Sequence, residues 1–136
     1  MDDLERFVEN DAFARYLGVE LPAYGDGRAT ARMTVQAHHL NSAGYLHGGA
    51  IFSLADAAFS AAANSHGVLA LSIDANISYF EAVRGGVLSA EAREVARTPR
   101  LATYLIDVRD GRGTLIAHFR GTVYRKSAAI GDVFPP

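Results

Sequence analysis

Residues 39–67, HLNSAGYLHGGAIFSLADAAFSAAANSHG, decide how this chain folds. From Gly48 to His66, alanine, phenylalanine, isoleucine and leucine occupy nearly every side of a helical wheel instead of one stripe, the pattern of a helix buried all round. It opens on glycines after His47 and closes at Gly67, so its ~19 residues run about 28 Å. An apolar rod of that length needs a sheet wrapped around it. Within residues 49–63 the polar exceptions are Ser53, Asp56 and Ser60. A serine hydroxyl can bond a carbonyl one turn back, which accounts for Ser53 and Ser60. Asp56 has no such account, because no lysine or arginine lies one turn away on the helix. An uncompensated buried carboxylate costs several kcal/mol, so Asp56 must be paired, solvated in a cleft or protonated. It either sits on a locally wet side of the helix or is there for its chemistry.

The flanks supply the sheet. Before the helix, Ala29, Ala31, Met33 and Val35 alternate with Arg28, Thr30, Arg32 and Thr34, a strand with one wet face. After it, alternation recurs around residues 71–79, 88–96, 102–108 and 115–123. The separators RGG at 84–86, RTPR at 97–100 and DGRG at 110–113 are short turn signals, and the four strands read as an antiparallel meander. Leu4, Phe7, Val8, Phe13, Ala14 and Leu17 predict one short amphipathic helix over residues 3–17, stopped at Gly18. The tail SAAIGDVFPP reads as loosely held, with Pro135 and Pro136 unable to continue a strand. The fold class is therefore α+β, an antiparallel sheet curled round one long central helix.

All 136 residues fit one domain, 1–136. Apolar residues at 49% and charged ones at 21% argue against disorder, and a net charge of −2 leaves no footprint for nucleic acid or an anionic membrane. The absence of cysteine excludes disulfides, thiolate nucleophiles and cysteine-bound metals. The start, MDDLERF, is acidic where a secretory signal is basic, and no apolar run reaches the ~18 residues of a membrane span. A cytoplasmic location is the expectation.

The loop NSAGYLHGG, residues 41–49, runs straight into the helix start, where glycines admit a ligand close to backbone N–H groups and the helix dipole suits an oxyanion. Asn41 and His47 are placed to fix this loop or its ligand, as a turn residue and a cap in the simplest case. Asp56 follows Gly49 by seven residues, about 10.5 Å along the axis. A reacting carbonyl must lie ~3 Å from both its base and its oxyanion donors, so these two groups of one chain cannot share one carbonyl. If both act, the aspartate comes from a neighbouring subunit whose helix lies antiparallel, and a two-fold dimer provides that twice.

The stretch HLNSAGYLHGGAIFSLADAAF, with N-x-x-G-x-x-H-G-G at Asn41, Gly44, His47, Gly48 and Gly49 and an aspartate seven residues on, closely resembles the signature of hotdog-fold acyl-CoA thioesterases of the phenylacetic-acid-degradation group. The strand LALSIDANISYFEAVRGG is also similar to that family's. The resemblance implies that Asp56 is general base or nucleophile, that the Gly49 amide polarises the thioester carbonyl, and that Asn41 and His47 orient loop and substrate. Ser72 matches a position that helps hold the attacking water in some members. Coenzyme A would lie along the turns carrying Arg84 and Gly85, and Arg97, Thr98 and Arg100, whose guanidinium groups suit phosphate oxygens. The implied assembly is a homodimer or a dimer of dimers, with no cofactor beyond the coenzyme A of the substrate. The competing readings are a non-catalytic acyl-CoA-binding or sensing module, a hydroxyacyl dehydratase using His47, and a metal enzyme, for which His38 and His39 are adjacent and point apart.

Overall fold

The computed structural model describes residues 1–134. Two short helices, α1 (Asp3–Glu9) and α2 (Ala12–Leu17), precede strands β1 (Glu20–Gly25) and β2 (Arg28–Thr34). The central helix α3 (Gly48–Asn64) follows, then strands β3 (Val68–Tyr79), β4 (Val87–Arg97), β5 (Leu101–Arg109) and β6 (Leu115–Ala129). All strands form one antiparallel sheet in the order β1-β2-β4-β5-β6-β3. The sheet curls round α3, whose residues Leu54, Ala55, Ala58, Phe59 and Ala62 are fully enclosed. This is the hotdog arrangement.

Aromatic packing seats the helix. Phe59 lies 5.8 Å from the ring of Tyr104 and 5.5 Å from that of Phe119, which also takes Phe52 edge-on at 5.1 Å. On β6, Gly121 is required because a Cβ there would stand 2.6 Å from Phe59 Cζ. At the far end of α3, the buried Asn64 donates to the carbonyls of Ser60 (2.9 Å) and Ala70 (3.2 Å) and accepts from the Ala70 N–H (2.9 Å). A helix end closed by a fully satisfied amide in this way orders the first turns of β3.

Four sequence expectations need correction. The helix expected over residues 3–17 is two, because Asp11 leaves helical geometry and caps α2, its carboxylate accepting from Ala14 N–H at 3.0 Å. Phe13 consequently stands 63% exposed. A strand before Arg28 was not expected, since ELPAYG has no clean alternation. It pairs as β1 at the sheet edge, where Pro22 is tolerated, through a tight turn with Asp26 at φ 52° and Gly27 at φ 75°. The meander holds only for β4-β5-β6. β3 pairs with β6, and residues 80–86 cross to β4 as a connection pinned by Leu46 N–H on Val83 O (2.6 Å) and Val35 N–H on Gly86 O (2.9 Å). Alternation reports which face is buried and is silent on which strand is the neighbour.

The tail is also not loose. β6 extends to Ala129 and a 3₁₀ turn, Ile130–Asp132, follows, with Ile130 buried and its N–H on Gly67 O at 3.0 Å. Pro135 and Pro136 lie outside the described residues.

Candidate active site

The loop entering α3 is held by its own polar groups. Asn41 Oδ1 accepts from the N–H of Ala43 (2.9 Å) and Tyr45 (3.1 Å), while its own N–H bonds Tyr45 O at 2.7 Å. Gly44, at φ 80°, closes this turn. Below it the buried His39 accepts from Gln36 N–H at Nδ1 (2.9 Å), which leaves the Nε2 proton for Leu17 O (2.8 Å), and its carbonyl takes His47 N–H (2.8 Å). With both ring nitrogens committed, His39 is a structural histidine.

The loop thereby delivers His47 to the N-cap of α3, where Nδ1 accepts the Gly49 N–H at 2.8 Å. The Gly49 amide, expected from sequence as the oxyanion donor, is thus occupied by its own cap. The amide one residue earlier differs: Gly48 N–H has no acceptor among the described residues. Both glycines sit where a Cβ would crowd a neighbouring side chain. A Cβ at Gly49 would meet His47 Nδ1 at 3.0 Å, and one at Gly48 would meet the Tyr79 ring at 3.2 Å. Tyr79 also donates its hydroxyl to Gly48 O at 2.9 Å. Gly48 and Tyr79 escaped the sequence reading, the first because glycine pairs do not say which amide stays free, the second because the contact spans 31 positions.

Along α3 the less buried residues Gly49, Ser53, Asp56 and Ser60 recur at spacings of four, three and four, one helical stripe. Ser53 Oγ returns to Gly49 O at 2.7 Å as expected, and Ser60 makes no such bond among the described residues. Asp56 is half-buried and has neither a hydrogen bond nor an ion pair among the described residues. Burial first, and then the negative charge of Asp11, push its carboxyl above the ordinary range. Gly48 N–H and Asp56 are eight residues apart, about 12 Å along the axis, too far for one carbonyl.

Ser72 is exposed on the edge strand β3, and its register partner is the buried Val123, so it lies on the helix-facing side of the sheet. Arg84, beside Gly85, stacks over the Tyr45 ring at 4.3 Å and donates to its hydroxyl at 2.9 Å, next to the loop that carries His47. Arg97 ends β4 and Thr98 and Arg100 follow it, about 33 Å away along the strand. There Thr98 Oγ1 accepts from Leu101 N–H (3.0 Å) and Arg100 bonds Arg125 O (3.3 Å). Within one chain the two arginine groups do not meet.

A separate polar cluster closes the C-terminal end of α3. Glu94 Oε1 accepts from the Tyr104 hydroxyl at 2.7 Å and faces His66 Nε2 at 2.9 Å. Burial works against the Glu94 carboxylate, but these two bonds outweigh it and hold its pKa below the ordinary value, while burial and Glu94 push the Tyr104 phenol up. The cluster joins β4, β5 and the helix end.

Comparison with known proteins places these features. The profile described as the thioesterase superfamily matches residues 43–117, which span most of the loop, α3, strands β3 to β5 and the start of β6. A protein of Archaeoglobus fulgidus named as a candidate esterase is 44% identical over 129 residues, covering 94% of this chain and 81% of the relative. The acyl-coenzyme A thioesterase PaaI of Escherichia coli K12 is 35% identical over 123 residues, 90% of this chain and 88% of its own. The solved structure of the E. coli PaaI protein from the phenylacetic acid degradation operon superposes with a TM-score of 0.89 at 33% identity, covering 93% of both chains.

Proposed function

The chain belongs to the thioesterase superfamily and is a thioester hydrolase, and from that premise we propose that it cleaves acyl-coenzyme A thioesters to free acid and coenzyme A. Asp56 carries this reading: a half-buried carboxylate with no partner among the described residues, on the open stripe of an otherwise sealed helix. Such a group is unstable as an anion where it stands, which favours taking a proton.

In the proposed reaction Asp56 accepts a proton from water as the water oxygen bonds the thioester carbon, or bonds that carbon itself to give an acyl-aspartyl intermediate that water then hydrolyses. The carbonyl oxygen becomes an oxyanion held by the Gly48 N–H at the positive end of α3. Collapse breaks the carbon–sulfur bond, and the departing thiolate takes up a proton. Asn41 and His47 hold the loop in place, and Ser72 faces the water from β3.

Since one chain keeps Gly48 and Asp56 about 12 Å apart, the proposed unit is a homodimer with the two α3 helices antiparallel. The edge strand supports it: β3 offers 12 residues of backbone without an outer neighbour among the described residues, with Leu71 48% and Ile73 60% exposed. Antiparallel pairing also puts the start of β4 in one chain at the same end as the finish of β4 in the other. Arg84 and Gly85 of one chain and Arg97, Thr98 and Arg100 of the other are then the proposed contacts of a single coenzyme A. A dimer of dimers, a cytoplasmic location and an aryl- or fatty-acyl substrate, with phenylacetate breakdown as its setting, complete the proposal.

Thiol release from acetyl-, hexanoyl- and phenylacetyl-CoA, followed with a thiol-reactive dye, tests it. Hydrolysis by the purified chain that disappears in Asp56→Asn is the expected result. Binding of acyl-CoA with no thiol released by the wild-type chain would replace it with the sensing-module reading.

A further inference from the structure

On the reading above Asp56 is the base, and the fold sets a second carboxylate against the same helix. Asp11 opens α2 as its N-cap, with Oδ1 accepting the Ala14 N–H at 3.0 Å. It also faces α3. A narrow gap is lined by Asp11 together with Ala57 and Ser60, the residue after Asp56 and the residue one turn beyond it. In a neighbouring cleft of about 270 Å³, Asp11 and Ser60 meet again beside Phe7, Asn10, Val133 and Phe134. Asp11 is the single charged residue in the described lining of both spaces. We propose that Asp11 acts through Asp56 as a positioning residue for hydrolysis, its charge setting the pH range over which the base works.

Capping alone does not call for an aspartate here, because asparagine and serine accept the same N–H about as well. An aspartate adds a negative charge near a half-buried carboxylate, which destabilises the folded chain. No cation offsets it: Asp11 forms no ion pair among the described residues. The other titratable groups around it are committed elsewhere. A cavity on the β1 side is lined by Asp11 with Glu9, Arg15 and Tyr24. Arg15 is turned to the Glu9 carbonyl at 3.3 Å, and Tyr24 stays protonated because burial, then Glu5, Asp2 and Glu9, push its phenol up. Arg6 stands behind the cleft wall, stacked on the Phe134 ring at 4.1 Å. The second chain of the proposed dimer would add His47, whose Nδ1 holds the Gly49 N–H, and Tyr79, whose phenol is pushed up by burial. In this setting burial first, and then Asp11, strengthen the hold of Asp56 on a proton. A stronger proton acceptor takes the proton from water more readily, but it is ionised only at higher pH. Removing the Asp11 charge therefore gives up alkaline rate and gains acidic rate.

Asp11→Asn and Asp11→Ser keep the cap and remove the charge. For the wild type and both variants, kcat/KM is measured across the acidic and alkaline range with the best substrate among acetyl-, hexanoyl- and phenylacetyl-CoA, followed by the thioester absorbance. On the acidic limb the variants are expected to be about two- to fivefold faster than wild type, and on the alkaline plateau about two- to threefold slower. A loosened α2 does not produce opposite signs at the two ends. Urea unfolding at pH 8 adds a readout without activity: each substitution is expected to raise the midpoint further in the wild-type chain than in the Asp56→Asn chain, because the repulsion needs both charges. If Asp11→Asn does not fold, Asp11→Ser decides. A profile that is unmoved or moves the same way at both ends, or a midpoint change of equal size in the two backgrounds, reduces Asp11 to a cap and overturns the inference with the hydrolase reading intact. A wild-type chain that cleaves none of the three substrates at any pH defeats the hydrolase reading first, and with it this inference, which rests on it.

Discussion

Nδ1 of His47 stands 2.8 Å from the backbone nitrogen of Gly49 and takes its hydrogen bond, so the cap that starts α3 also removes one amide from use and leaves the amide of Gly48 open. The two glycines are therefore not equivalent. Gly48→Pro deletes the open N–H at the first helical position, where proline is best tolerated, whereas Gly48→Ala keeps the N–H. Each also brings a side chain toward the Tyr79 ring, so the alanine variant is the steric control. With oxyanion stabilisation by this amide, kcat falls about 10²- to 10³-fold further in Gly48→Pro than in Gly48→Ala, measured by thiol release. Equal rates in the two variants would remove Gly48 from the mechanism.

Asp56→Asn keeps the shape of the side chain and removes the proposed base. Turnover drops about 10²- to 10⁴-fold with the assembly intact by size-exclusion chromatography. Stability moves the other way. Because burial raises the Asp56 pKa in the folded chain, the native state holds that proton more tightly than the unfolded state. The wild type therefore loses stability as pH rises from the ordinary carboxylate value through the raised one, and stays lowered above it. Asp56→Asn melts higher than wild type at neutral pH, and the gap closes on acidification. A lower melting temperature for the variant at pH 7 contradicts an unpaired Asp56.

Glu94 has the opposite sign. Its pKa is held down by Tyr104 and His66 against the effect of burial, so its contribution is full above the ordinary carboxylate value and is lost as pH falls through the depressed one. Replacement by Gln keeps the size and gives up the charge-assisted bonds, at about 1–3 kcal/mol at neutral pH. Urea unfolding at pH 7 and pH 3 measures both numbers, and a penalty that persists undiminished at low pH would show that the charge is irrelevant.

The β3 edge is the place to break the proposed dimer without replacing a residue of the proposed site. Ile73 is 60% exposed in the single chain, so Ile73→Lys leaves its fold unchanged and places like charges across any pairing of two such edges. Ultracentrifugation is expected to show a monomer with wild-type circular dichroism and with hydrolysis reduced at least about 100-fold, since base and oxyanion donor then no longer meet. A monomer with full activity would return both groups to one chain.

Much of this was legible one-dimensionally. The all-round apolar pattern from Gly48 onward gave a helix that ends at Asn64, two residues short of the expectation at His66, because Asn64 turns its amide onto Ala70. Alternation found β2 through β6 because half-buried faces impose a period of two. It missed β1, an edge strand whose proline and sparse burial leave no period to read. The turn made by Asn41 and the cap made by His47 are legible in one dimension, since both bond backbone groups within a few residues of themselves.

What the chain determined by sequence alone is local: which segments are helix or strand, that Asp56 is chemically out of place, and that a helix rise of 1.5 Å per residue forbids one chain from completing the proposed site. Tertiary structure decided what depends on distant residues. It placed β3 beside β6, set Tyr79 on Gly48, kept Arg84 and Arg100 at opposite ends of β4, and walled a cleft next to Ser60 with both termini. Side-chain periodicity records the solvent each residue faces, whereas these pairings are chosen by packing among segments tens of residues apart, which leaves no mark at either position alone.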